Sequence, residues 1–166
     1  MYGDIWKGLL YVGKISNFIN TGTQDIVYKV GDIGPAGGIV FSVEASGLHG
    51  LESQKTDYSN GLKFNWQYAM NISNIYGSDW RLPTISELHS MYQKQSVIGG
   101  FPILDMTNIY TFYRSSALLQ NNEYWSSTGC MASNSCYEYI DFTNGLEFPF
   151  GINDQNLYKV RSVHSF

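Results

Sequence analysis

The chain has 166 residues, of which 43% are hydrophobic, 16% aromatic and only 14% charged, and its formal net charge is −4 at pH 7. This length fits one domain that buries about 70% of the surface of its unfolded chain. The acidic balance argues against non-specific nucleic-acid binding, which depends on a basic face. No apolar run approaches the roughly 20 residues that span a bilayer, so we predict no membrane insertion.

Residues 1–24 are predicted to form an N-terminal amphipathic helix followed by a short polar linker. The apolar residues that recur at steps of three or four, and so share one side of a helix, are Ile5, Leu9, Val12, Ile15 and Ile19. Gly8 and Gly13 weaken this helix, each by about 1 kcal/mol relative to alanine. An apolar stripe of this kind is covered either by its own domain or by copies of the same helix, and the sequence leaves both alternatives open.

Residues 25–166 are predicted to form one α+β domain. Its first strands are predicted at 25–30 and Ile39–Val43, on either side of a glycine-rich turn, GDIGPAGG. This turn lacks the Gly-Lys-Ser/Thr ending of a phosphate-binding loop, and a strand follows it instead of a helix. Trp66, Ala69 and Met70 then share one face of a predicted helix.

The next helix has the clearest signal in the chain. Thr84 and Glu87 have the spacing of a capping box, in which each side chain satisfies a backbone N–H of the other residue. Leu88 and Met91 follow at helical spacing, which predicts a helix that begins after Thr84 and ends near residue 95. The DWRLPT segment before it is predicted to contribute core and buried polar residues.

From residue 124 the pattern is typical of β-structure. Strands are predicted at 124–128, 137–142 and 160–164, and apolar and polar residues alternate in the second of them. Asn144-Gly145 is a strong hairpin signal, so residues 146–150 are predicted to return beside the second strand. Trp125 and Arg161 are predicted to be buried.

Cys130 and Cys136 lie six positions apart in a Gly/Ser/Asn-rich stretch. We predict a local disulfide between them, worth roughly 2 kcal/mol by loop-closure arithmetic, and therefore an oxidising compartment. Two free thiols are the alternative. No histidine or further cysteine nearby has the spacing of a zinc site.

The residue types that commonly act in catalysis are scattered along the chain. The three histidines have no metal-ligand spacing, and no serine lies in a G-x-S-x-G context. We therefore predict no enzymatic activity, no cofactor and no metal site. Calcium bound through Asp79, Asp141 or Asp154 stays open as an alternative.

Several short blocks occur in a characteristic order: VGDIGPAGGIVF, LHGLE, DWRLPT, IGGF, YWSST and VRSV. Over roughly residues 28–166 these blocks resemble the Lcl C-terminal domain family, the C-type-lectin-like head of a bacterial collagen-like adhesin. The resemblance implies a C-type-lectin-like fold, in which strand 160–164 pairs with Ile39–Val43. It also implies an extracellular or cell-surface location, a homotrimer, and binding of sulfated polysaccharides of the glycosaminoglycan or fucoidan type.

Sulfates are recognised by Arg and Lys in charge-assisted contacts. The candidates outside the fold motifs are Arg114, Lys94 and Lys159, followed by Lys63 and Lys55. Because the net charge of the chain is −4, binding of a sulfated polysaccharide requires these cations to lie close together, for example around the axis of a trimer.

The C-terminal third is also similar to the variable region of proteins diversified by retroelements, which implies a protein-binding display domain as an alternative function. The exposed positions expected from this similarity are Tyr137, Tyr139, Glu147, Asn153, Asp154, Asn156 and Tyr158. A structural cap that trimerises a stalk is a third hypothesis.

Overall fold

A computed structural model of the chain describes residues 25–72, 77, 79–101, 122–129, 136–148 and 156–166. Within these ranges the chain is an α+β protein with two antiparallel sheets and a few short helices. The predicted N-terminal helix lies outside the described residues, and so do Arg114, Cys130, Asn153 and Asp154. No described helix has the length and apolar character needed to cross a bilayer.

The first sheet joins the start of the domain to its end. Its strands are β1 (Ile39–Val43), β2 (Gly50–Ser53), β3 (Trp80–Arg81) and β7 (Val163–Ser165). They are arranged in the order β1-β2-β7-β3, and every pair is antiparallel. Glu52 at the centre of β2 is therefore flanked by Val40 on one side and His164 on the other.

The prediction that the last strand pairs with β1 is wrong, because both edges of β1 are already occupied. β2 takes one edge after a tight turn through residues 44–49. On the other edge, the Gly31 N–H donates to the Val40 carbonyl over 2.8 Å, and the Val40 N–H donates to the Asp32 carbonyl over 2.9 Å. The predicted strand at 25–30 is also wrong, since this segment is irregular and runs into a turn.

The second sheet is a meander of β4 (Glu123–Gly129), β5 (Tyr137–Asp141) and β6 (Leu146–Phe148). The predicted Asn144-Gly145 hairpin is confirmed. Gly145 has a φ of 75°, which a residue with a side chain rarely adopts, and its N–H donates to the Asp141 carbonyl over 2.7 Å. This turn sets Tyr139 directly opposite Phe148.

The helices are α1 (Trp66–Ile72), α2 (Ile85–Gln93) and α3 (Gln95–Ile98). One face of the second sheet packs on α2 in a core cluster that includes Leu88, Met91, Tyr124 and Ile140. The opposite face packs in a second cluster, with Trp125 and Tyr139 from the sheet and with Ala69, Leu82 and Val160 from other elements. The second sheet is therefore covered on both faces over part of its area, and its free part lies at β6.

The predicted capping box at the start of α2 is confirmed. The Thr84 side chain accepts from the Glu87 N–H, and the Glu87 carboxylate accepts from the Thr84 N–H over 2.8 Å. The same carboxylate accepts two hydrogen bonds of 2.6 Å from Arg81. Burial alone would raise the pKa of Glu87, but the Arg81 guanidinium and the Thr84 hydrogen bonds together hold that pKa below its ordinary value.

The charge of Glu87 is expected to stabilise the fold only when it is ionised. Because its folded pKa is depressed, the contribution is complete above the unfolded value near 4.3 and is lost as the pH falls through the folded pKa. We expect Glu87→Gln to cost about 0.5–1 kcal/mol at neutral pH, since the Arg81 side chain is partly exposed and solvent screens the pair. Urea unfolding at pH 7 and pH 3 checks this, and a cost that does not shrink at pH 3 would contradict it.

Candidate functional site

Stacked aromatic rings cover the face of the second sheet that points away from α2. Tyr139 lies opposite Trp125 on one side and opposite Phe148 on the other, so all three side chains share one face. The Tyr139 and Phe148 rings are nearly parallel, with centroids 4.6 Å apart and planes 5° apart. Tyr158 stacks on Tyr139 at 4.4 Å.

A second segment extends this row of rings. The backbones of Phe64 and Tyr158 are joined by two hydrogen bonds of 2.8 and 3.0 Å, which sets their side chains next to each other. Phe64 in turn stacks on Tyr68 of α1 at 5.1 Å. The set Phe64, Tyr68, Tyr139, Phe148 and Tyr158 is termed the aromatic face below.

The edge of the aromatic face is open to solvent. Tyr68 is 49% exposed and Phe148 is 37% exposed, whereas Tyr139 is 9% exposed beneath its neighbours. Leu146, on β6 with Phe148, and Leu157, next to Tyr158 in the chain, are more than half exposed. The face therefore presents flat apolar surface at the protein boundary, and its centre is held rigid by stacking.

Hydrogen-bonding groups surround the rings. The Asn156 side-chain amide donates to the Tyr158 hydroxyl over 3.1 Å. Lys63 lies over the Tyr158 ring, with Nζ 5.9 Å from its centre and 3.1 Å from a Glu123 carboxylate oxygen. Burial raises the pKa of Tyr139, and the Tyr158 hydroxyl and nearby carboxylates raise it further, so this phenol stays protonated and able to donate.

Tyr137 lies beside this face and is half-buried. Its ring stacks on Trp66 with centroids 3.7 Å apart and planes 10° apart. Trp66 is held in place because its indole N–H donates to the Ser126 carbonyl over 2.8 Å. Tyr137 and Asn156 thus remain at the surface near the rings, but Tyr139, which was also expected to be exposed, is buried.

Lys159, a predicted sulfate-binding residue, points into the protein. Its side chain is only 8% exposed, and its ammonium lies 3.6 Å from the Asp57 carboxylate and 5.6 Å from the centre of the Tyr124 ring. Burial lowers the pKa of Lys159, and Asp57 opposes that shift. Lys159 is therefore a buried cation, with an internal partner in Asp57, 102 positions away in the chain.

The other predicted cations are dispersed. Lys63 is one-quarter exposed and is held by Glu123. Lys94 is exposed at the end of α2, which packs on the opposite face of the second sheet from the aromatic face. Lys55 is exposed in a loop after β2. Lys55, Lys63 and Lys94 thus lie on three separate segments of the chain, and Arg114 lies outside the described residues.

Sequence reasoning missed Phe64, Tyr68 and Phe148 as site residues. For Phe148 a signal was present, because the Asn144-Gly145 hairpin fixes which residue lies opposite Tyr139. Phe64 and Tyr68 reach the sheet through contacts between distant segments, namely the pairing of Phe64 with Tyr158 and the hydrogen bond from the Trp125 indole to the Phe64 carbonyl, and no local sequence pattern predicts these contacts.

Cys136 is buried and disulfide-bonded. Cys130 lies outside the described residues, so the predicted pairing stays a prediction. Across the described part of the chain, no group of three or more His, Cys, Asp and Glu residues is placed to hold a metal ion.

A scan of the chain against protein-family models found no match, and a search of curated proteins found none either.

Proposed function

We propose that this chain is a non-enzymatic recognition domain with a C-type-lectin-like fold, and that it binds glycans at the aromatic face. The fold proposal is supported by the ordered sequence blocks, the two antiparallel sheets, and the last strand lying within the first sheet. The observation that carries the functional proposal is a stack of rings that is open to solvent at Phe148 and Tyr68 and has hydrogen-bonding groups at its rim.

The chemistry of the aromatic face suits a sugar ring. The C–H bonds on one side of a pyranose pack on a flat aromatic surface, and its hydroxyls need both donors and acceptors. Phe148 offers such a surface, and it is held parallel to Tyr139. Asn156, Glu123 and the Tyr158 hydroxyl supply polar groups close by. The stacking already formed between the rings reduces the entropy lost on binding.

The charges around the aromatic face favour a neutral sugar. The Glu123 and Asp141 carboxylates both act on Tyr139, and the nearby Lys63 ammonium is paired with Glu123. The one ammonium beside the rings is already paired with a carboxylate, so it is less available to a sulfate than a free cation would be. We therefore place a neutral hexose on the rings. The sulfated-polysaccharide binding that the resemblance implies stays a proposal that depends on Arg114 and Lys94.

The adhesin role belongs to the same proposal. An extracellular or cell-surface domain with this face would attach its carrier to polysaccharide of a host or matrix. The homotrimer and the extracellular location stay predictions from the resemblance. Protein-partner display is the second candidate, and the exposed leucines Leu146 and Leu157 favour it because proteins offer apolar side chains to such positions.

Phe148→Ala is expected to weaken binding of a neutral glycan about tenfold, since it removes an exposed stacking surface worth roughly 1.4 kcal/mol. The measurement is a panel of immobilised neutral polysaccharides together with heparin and fucoidan, each across a salt series. Leu48→Ala is the matched control, because Leu48 is as exposed as Phe148 but belongs to the turn between β1 and β2.

Arg114→Ala and Lys94→Ala are tested on the same panel. Salt-sensitive binding to heparin or fucoidan that these two variants weaken, with Phe148→Ala unchanged, would place the glycan site on the predicted cations instead of the rings. If no glycan binds at low salt, the adhesin proposal fails and protein-partner display takes its place.

A further inference from the structure

Apolar side chains are concentrated where the described chain begins. The members of this set are Ile26, Val27, Val30, Ile33, Leu48 and Val97, and together they are termed the N-terminal apolar patch. Ile26 is 68% exposed, Ile33 is 62% exposed, and the others are between 37% and 57% exposed. Four of the six lie within eight consecutive residues, which is unusual for a segment that faces water.

Backbone contacts hold this patch together. The Tyr28 N–H donates to the Gly47 carbonyl over 2.8 Å, which sets Val27 beside the turn that carries Leu48. The Tyr28 ring is fixed on its other side by an edge contact with Phe166 at 4.9 Å. The patch is therefore held in place at the edge of the first sheet, although residues 26–33 do not themselves form a strand.

The middle of the patch is formed where two segments meet. The Gly31 N–H donates to the Val40 carbonyl on β1, which fixes the turn after Val30. A Val97 methyl group of α3 lies 3.4 Å from the position that a β-carbon on residue 31 would take. Ile33 then pairs with Ile39 at the far end. Val27 thus lies beside the turn that carries Leu48, and Val97 lies beside residue 31, close to Val30 and Ile33 in the chain.

We propose that the apolar stripe of residues 5–19 docks on the N-terminal apolar patch of the same chain. The stripe has an apolar residue at each step of three or four, and the patch starts within a few residues of the end of that segment. The stripe and the patch are both apolar, so docking of one on the other would remove aliphatic area from water.

The lengths allow this arrangement. A helix over residues 5–19 is about 22 Å long, and the linker through residues 20–25 spans up to about 20 Å when extended. The helix can therefore turn back over residues 26–33. A segment tethered in this way acts at an effective concentration in the millimolar range, which favours docking within one chain over pairing between chains at micromolar protein.

Hydrogen exchange of the whole chain tests this proposal. Amides of residues 5–19 are expected to exchange at least about tenfold more slowly than in the isolated peptide, and the protection is expected to be unchanged when the protein is diluted tenfold. The double variant Ile26→Glu/Val30→Glu is expected to abolish it. Leu62→Glu is the matched control, because Leu62 is 61% exposed and lies outside the patch.

Exchange of α2 serves as the internal check that the double variant is folded. If the double variant also loses protection in α2, it is unfolded, and Leu9→Glu is used in its place. That substitution lies in the stripe and leaves the patch unchanged. Absence of protection in the wild-type segment overturns the proposal. So does protection that falls on dilution, which would mean that the stripe pairs with copies of itself.

Discussion

Replacement of Arg161 by methionine is expected to lower the free energy of unfolding by about 3–5 kcal/mol, because it leaves a buried carboxylate without its main partner. The Arg161 side chain is fully buried, and its Nε donates to Asp57 over 2.8 Å. Its other nitrogens donate to the carbonyls of Gln54 and Gly100 over 3.0 and 2.8 Å. Methionine fills much of the same volume but satisfies none of these acceptors.

Urea unfolding followed by tryptophan fluorescence measures this loss. Arg81→Met is the matched control, since Arg81 also makes a two-pronged pair with a carboxylate but its side chain is 42% exposed. We expect that control to cost no more than about 1 kcal/mol. Equal costs for the two variants would contradict the assignment of Arg161 as the central buried ion.

A double-mutant cycle separates the ion pair from the carbonyl contacts. Asp57→Asn removes the charge that Arg161→Met would otherwise leave with only Lys159 as a charged partner, so the double variant is expected to be more stable than the sum of the two losses predicts. The Tyr124 hydroxyl donates to the same carboxylate over 2.9 Å and remains in both backgrounds. Strict additivity would mean that Arg161 acts through the loop carbonyls alone.

Glu52→Gln is expected to cost about 2–4 kcal/mol, although the two side chains have nearly the same shape. Glu52 is fully buried in β2. One carboxylate oxygen accepts from the Ala36 N–H over 2.9 Å and lies 3.0 Å from His164 Nδ1, and the other accepts from the Gly38 N–H over 2.6 Å. Glutamine offers one acceptor oxygen, so its NH₂ group must face a backbone donor in either orientation.

The loss of stability in Glu52→Gln is expected to begin in the glycine-rich turn. Glu52 closes the glycine-rich turn over residues 34–38, and hydrogen exchange should show those amides exposed in the variant before α2 loses protection. Glu44→Gln is the control, since Glu44 is exposed at the end of β1. A variant whose turn exchanges as slowly as in the wild type would show that the carboxylate does not hold it.

This turn also illustrates how a motif can mislead. GDIGPAGG has the glycine content of a phosphate-binding loop, and only its sequence context argued against that reading. In the structure, two of these glycines are required for a different reason, which is the lack of space for a side chain. A β-carbon at Gly34 would meet the Glu52 carboxylate, and one at Gly38 would meet first the Ser53 carbonyl and then the same carboxylate and the Trp80 ring. The turn binds an anion, but the anion is a side chain of the same protein.

The features that the sequence predicted correctly are those fixed by near neighbours. The capping box at Thr84 and Glu87 needs residues three apart, and the hairpin at Asn144-Gly145 needs four consecutive residues. Helix α1 followed from the helical spacing of Trp66, Ala69 and Met70, and strand β1 from a short extended run after the glycine-rich turn. These contacts form within one turn of a helix or one hairpin, so they depend little on how the rest of the chain packs.

The sequence alone therefore determined most of the elements and their caps, and the tertiary structure decided which residues can meet a ligand. Lys159 was a candidate for sulfate binding and is buried on Asp57, whereas Phe64, which no local pattern indicated, meets Tyr158 and completes the aromatic face. The last strand joined β2 instead of β1 because both edges of β1 were filled. Each of these outcomes depends on contacts between segments about 100 positions apart. Burial, charge pairing and the availability of a sheet edge are decided only when folding brings such segments together, so no local sequence pattern predicts them.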